Sequence, residues 1–192
     1  TQSSTAHSFL TIFSGQFLAQ LVSFLATFLL ANVYGPRAFS NLAVVVSISS
    51  ILTPFLSGTL ENPIVLERTL NRAMRLVMAA FLLISAAAFL LITLSAILQL
   101  FDLHLGWLSR YTLILGYLTL GIVIAIFSAA RLICEAMLLR RRRLAAINRL
   151  IVIPVLANPV IALLLWRLGL VNEGLILALL LAYLIQFVYC LL

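Results

Sequence analysis

Gln16, Gln20, Ser23 and Thr27 recur at i, i+4, i+7 and i+11 within a run that is otherwise apolar. On a helix this spacing lines all four side chains along one face. Hydrocarbon offers polar groups no partner, so such a face must turn toward protein or water. Two kinds of chemistry fit. The row can wall a hydrated cavity that admits a polar solute, or it can hydrogen-bond neighbouring helices and hold a bundle together. Two glutamines one turn apart are more than helix association usually needs.

A second polar row joins Ser47, Ser50, Pro54, Ser57 and Glu61. Pro54 removes a backbone donor and is expected to kink its helix, making it a hinge candidate. A third row joins Tyr117, Gly121, Ser128, Arg131 and Glu135. Arg131 and Glu135 stand one turn apart and can neutralise each other. Such a pair is a functional site if it lies inside a span, and an interfacial ion pair if it lies in the headgroup layer. The fifth apolar run adds Asn148, Arg149 and Asn158. It also holds Pro154 and Pro159, which free backbone carbonyls and suit a hinge, a broken helix or a static kink. Tyr183 and Gln186 share one side of the last run.

Enzyme chemistry has no foothold here. His7 and His104 stand alone, and Asp102 meets His104 only in an expected external turn. There is no phosphate-binding glycine loop, no paired-carboxylate motif and no metal-ligand spacing. Cys134 and Cys190 lie inside apolar runs and read as small buried hydrophobes. No cofactor is expected.

The elements that must position these groups follow from composition. Apolar residues make up 65% of the chain and charged residues 9%, and the mean hydropathy is +1.24. Soluble domains carry about 25% charged residues, so the bilayer is the expected solvent. A span needs about 20 apolar residues. Six runs approach that length, and the expected crossings are 9–33, 38–60, 76–101, 108–137, 145–166 and 174–192. The first run is too long for a signal peptide and follows no basic stretch. The fold class expected is therefore all-α, a polytopic membrane protein built as one bundle of six transmembrane helices. A short interfacial helix is expected over 62–74, with Arg68, Arg72 and Arg75 on one face, either as a plain anchor or as a site for membrane lipid.

The net charge is +7 and all twelve basic residues are arginine. Counted between charge-free windows, nine of them (Arg68, Arg72, Arg75, Arg131, Arg140–Arg143 and Arg149) fall between Ala38–Leu60 and Leu76–Phe101 or between Tyr111–Ala130 and Leu150–Trp166. Three, Arg37, Arg110 and Arg167, fall between the other windows. The positive-inside rule then places both ends of this segment in the cytoplasm. Arginines confined to the edges of apolar runs argue against nucleic-acid binding. The chain begins Thr1-Gln2-Ser3-Ser4 and stops at Leu192 inside an apolar run, so flanking parts are expected.

Several segments resemble one family. They are Ser14-Gly15-Gln16-Phe17 through Leu30 with the turn Ala31-Asn32-Val33-Tyr34-Gly35-Pro36-Arg37-Ala38-Phe39-Ser40, the element Gly58-Thr59-Leu60-Glu61-Asn62-Pro63-Ile64-Val65, the Arg140–Arg143 run entering Leu144-Ala145-Ala146, and Gly174-Leu175-Ile176-Leu177-Ala178. In this order they resemble the amino-terminal half of Wzx-type polysaccharide flippases, in the multidrug/oligosaccharidyl-lipid/polysaccharide superfamily. The resemblance covers nearly the whole chain through degenerate motifs. It implies one six-helix lobe of a two-lobe carrier like the multidrug exporters of that superfamily. The second lobe would lie beyond residue 192 or come from a second copy. It implies that lipid-linked oligosaccharide, carried on undecaprenyl diphosphate, is moved across the bacterial inner membrane by alternating access. Arginine suits a diphosphate because its fork binds two oxygens, which makes Arg131 and then Arg149 the headgroup candidates. Two alternatives remain. One is a drug/cation antiporter of the same superfamily, against which the absence of a mid-span carboxylate counts. The other is a non-transporting scaffold subunit of a polysaccharide-synthesis complex.

Overall fold

The computed structural model describes the backbone of residues 2–105, 112–141 and 143–191, and the side chains of residues 17–98, 116–141, 143 and 145–190. The described backbone is helices joined by short turns: α1 (Gln2–Ser57), α2 (Glu61–Leu66), α3 (Leu70–Leu105), α4 (Thr112–Arg140), α5 (Leu144–Arg167) and α6 (Gly174–Leu191). Among the described residues, four stretches are long and apolar enough to cross a membrane: Phe17–Ser57, Leu70–Leu98, Gly116–Arg140 and Ala145–Arg167. Gly174–Cys190 is a shorter apolar helix. Large apolar side chains such as Phe24, Phe28, Phe55, Leu82 and Phe89 are more than two-thirds exposed. On a water-soluble monomer such a surface would be an aggregation liability. It fits a membrane-embedded helical protein.

One residue interrupts α1. Gly35 has φ 69° and ψ 171°, a region that is not helical and is essentially closed to residues with a Cβ. Pro36 follows, and proline drives the residue before it toward extended ψ. The Gly-Pro pair therefore divides α1 into arms at 2–34 and 36–57.

The chain packs as two compact units. The first comprises Thr1–Ser40 and Cys134–Leu192. Its core is mostly small or β-branched: Ala19, Ala38, Ala136, Ile147, Ala162, Ile176, Ala178 and Ala182. Small residues let helix backbones approach closely, which matters in lipid, where apolar burial alone gives no drive for association. The Tyr34 hydroxyl donates to the Ala162 carbonyl at 2.5 Å and ties the first arm to α5. Gly174 opens α6 against the Tyr34 ring, where a Cβ would come within 3.0 Å of Cε1.

The second unit is Asn41–Ile133. Here α3 presents Ala73, Ala80, Ile84, Ala88 and Ser95, and α4 presents Ile122, Ile124, Ala125, Ala129 and Ile133. Gly121 of α4 lies where a Cβ would fall 2.6 Å from Ile48 Cγ2. Ser95 and Thr119 share a hydroxyl hydrogen bond of 3.3 Å between α3 and α4.

The interfacial helix expected over 62–74 needs correction. Glu67 is extended, with ψ 134°, so α2 ends at Leu66 and α3 begins at Leu70. The Glu67 carboxylate accepts from the Arg68 and Thr69 amides at 2.9 and 3.4 Å and holds the break. Arg68 lies in that break, while Arg72 and Arg75 belong to the long helix α3. The turn into α2 is also unusual. Gly58 and Thr59 both have positive φ, 57° and 53°, and a β-branched residue there is strained.

Candidate functional site

The first arm of α1 sorts its side chains by angle. Its buried or half-buried seam is Ala19, Val22, Ala26 and Leu30, at i, i+3, i+7 and i+11. At about 100° per residue, Phe17, Leu21, Phe24, Leu25 and Phe28 fall on the far side, and all are exposed. Gln20, Ser23 and Thr27 occupy the strip between, on the flank of the seam, and they too are exposed. Thr27 Oγ1 donates to the Ser23 carbonyl at 2.8 Å, a bond internal to the helix. Gln16 lies on the same helix, but its side chain is outside the described residues. Among the described residues, Gln20, Ser23 and Thr27 therefore bond no neighbouring helix. Their strip is separate from the fully apolar face that suits lipid.

The other polar candidates in this unit are placed differently. Asn148 is half-buried and engaged with a partner. Arg149 is exposed and Asn158 is half-buried. Glu135 is half-buried and engaged. Arg131, one turn earlier on α4, is also half-buried and engaged, and falls in the second unit. The candidate residues are thus divided between two units along α4.

In the second unit, Ser47, Ser50 and Pro54 are exposed on the side of the second arm opposite its seam of Val45, Ile48, Leu52 and Leu56. The Ser50 hydroxyl donates to the Ser47 carbonyl at 2.9 Å, and buried Ser57 donates to Pro54 O at 3.3 Å. These hydroxyls are satisfied by their own helix, a low-cost arrangement in hydrocarbon. Glu61 is half-buried, and one of its carboxylate oxygens is buried without a hydrogen bond. Helix α1 continues past Pro54 to Ser57.

Gln186 has a role that its place in the last apolar run did not disclose. It is 1% exposed, and its Nε2 donates to the Leu150 carbonyl at 2.7 Å. That carbonyl lies four residues before Pro154, which has no N–H to return. Helix α5 runs unbroken through both Pro154 and Pro159. The broken-helix alternative is therefore not what the described residues adopt. The sequence signal was Pro154 itself, which names the orphaned carbonyl but not its donor.

No family model, curated protein or solved structure matches the chain. Assignment of a function thus rests on the polar strip, the arginines and the helical build.

Proposed function

We propose that this chain is one six-crossing lobe of a carrier that flips lipid-linked oligosaccharide across a bacterial inner membrane. The observation that carries the reading is the exposed strip of Gln20, Ser23 and Thr27. These groups are not used up in packing their own unit, and they are segregated from the arm's lipid-compatible face. A hydrated pathway beside a second lobe gives them the partner that hydrocarbon withholds. The sugar and diphosphate would move along such a strip while the prenyl tail stays in lipid.

Six crossings are supported by the break at Gly35. As one straight rod, the 41 residues Phe17–Ser57 would run about 61 Å, twice the hydrocarbon thickness of about 30 Å. Read as two arms, they supply two crossings, and α3 to α6 supply four. The arginine bias then puts both ends of the segment in the cytoplasm. On this reading Arg131 is the first candidate to meet the diphosphate, and Arg149 the second.

Two measurements test the proposal. In a host lacking its own flippase, the full-length gene should restore surface polysaccharide, and Arg131→Ala should impair it at unchanged membrane abundance. Single cysteines replacing Gln20 and Ser23, in a background without Cys134 and Cys190, should react with a membrane-impermeant thiol reagent. Complete protection at both positions would remove the cavity and favour a scaffold.

A further inference from the structure

In the first unit, α1 and α5 leave a half-open fissure of about 240 Å³ just inside the Tyr34–Ala162 hydrogen bond. Val22, Ala26 and Leu29 line one wall, and Pro159 and Leu163 line the other. Its lining is wholly apolar. A slot of this kind in a membrane-embedded protein is the shape of a hydrocarbon chain, but apolarity alone does not name an occupant.

Charge at one end does. Arg37 follows Tyr34 by three residues, and Arg167 follows Ala162 by five. The Tyr34–Ala162 bond pins both segments together, so the two arginines flank the same end of the fissure. Both are exposed, and neither forms an ion pair among the described residues. Glu173, also exposed, is the acidic residue nearest in the chain to Arg167, and it leaves this end net positive. Trp166 is 41% exposed beside Arg167, and tryptophan favours headgroup depth. Arg167 lies four residues past Leu163, about 6 Å along the helix. Counted between charge-free windows, only three of the twelve arginines fall in the linkers expected after crossings one, three and five, and two of those three stand at the fissure mouth.

We propose that the fissure holds one acyl chain of a resident anionic phospholipid whose phosphate sits between Arg37 and Arg167. The guanidinium fork matches phosphate oxygens. The chain fills space that Pro159 and Ala26 leave open. This inference does not depend on what the protein transports.

Native mass spectrometry of the full chain in detergent tests it, with phosphatidylglycerol and phosphatidylcholine as the probes. One phosphatidylglycerol should bind about thirtyfold more tightly than phosphatidylcholine, whose choline cancels the phosphate charge, from roughly fivefold for each arginine beside a net-anionic headgroup. Arg37→Gln with Arg167→Gln should bring the two lipids level. Arg72→Gln with Arg75→Gln should leave that one tight phosphatidylglycerol in place. Ala26→Phe, which fills the slot, should release both lipids. Phosphatidylglycerol with a photoreactive acyl chain gives a second measure on the native chain, independent of how that variant packs, and should label residues 22–30 and 159–163. Equal binding of the two lipids overturns the proposal. So does a preference that survives loss of both arginines, or labelling confined to other helices, as a protein partner or a merely lipid-wetted surface would give.

Discussion

Gln186 of α6 supplies the hydrogen bond that Pro154 denies to Leu150. Its Nε2 lies 2.7 Å from the Leu150 carbonyl, across 36 positions of sequence. A proline in a membrane helix is tolerable when a neighbouring helix satisfies the carbonyl it frees. The same amide has its other end, Oε1, buried without a hydrogen bond. The brace therefore gains one bond and leaves one acceptor wanting.

That double character decides how the brace should be tested. Gln186→Leu removes the bond but also removes the unsatisfied Oε1, so its net effect alone is small. The coupling to Pro154 is the sharper quantity. In Pro154→Ala the backbone N–H returns, and Leu150 no longer needs Gln186. Gln186→Leu should then cost about 1 kcal/mol less than it does in the native background. Unfolding by SDS titration in mixed micelles measures all four corners of the cycle. Equal costs in the two backgrounds would dissolve the link.

Gly121 makes a different kind of demand. A Cβ at this position would meet Ile48 Cγ2 at 2.6 Å and Ile48 Cβ at 2.9 Å, with the Val45 carbonyl at 3.3 Å. Gly121→Ala should destabilise the second unit by about 1–3 kcal/mol through overpacking. Ile48→Ala in the same chain should recover part of the loss, because it removes the atom struck first. Recovery stays partial, since alanine keeps the Cβ at 2.9 Å and the Val45 backbone cannot retreat.

The sequence made some of this legible. Apolar run length foretold long helices, and the gap expected between crossings at residues 33 and 38 contains the break at Gly35. The 62–74 helix is broken because the Glu67 carboxylate caps the Arg68 and Thr69 amides, a local bond that the spacing of Arg68, Arg72 and Arg75 does not reveal. Periodicity reports which residues share a face, but not what that face meets. So the row from Gln16 to Thr27 was visible, while the exposure of Gln20, Ser23 and Thr27 was not. Gln186 was harder still. Proline exposes a carbonyl at a known offset, but the donor arrives from a helix whose register only packing sets.

Gly35 and Gly174 separate two reasons for glycine. At Gly35 nothing lies within 4 Å of a built Cβ, so there is space, but φ is 69° with extended ψ. Gly35→Ala should cost about 1–3 kcal/mol from backbone conformation alone, and no neighbouring truncation should relieve it. Gly174 is the reverse case. It opens helix α6, and a Cβ would strike the Tyr34 ring, with Cε1 at 3.0 Å and Cζ at 3.1 Å. Gly174→Ala should cost a similar amount, about 1–3 kcal/mol, but through overpacking. Here Tyr34→Ala should suppress the penalty, because the ring that is struck has gone. The Tyr34→Ala single variant sets the baseline, since it also loses the hydrogen bond to Ala162. Micelle unfolding of the single and double variants separates the two cases. Strong coupling of Gly174 to Tyr34, with none between Gly35 and Tyr34, is the expected pattern. Equal coupling at both glycines would mean that the Gly35 break is imposed by packing and not by the backbone.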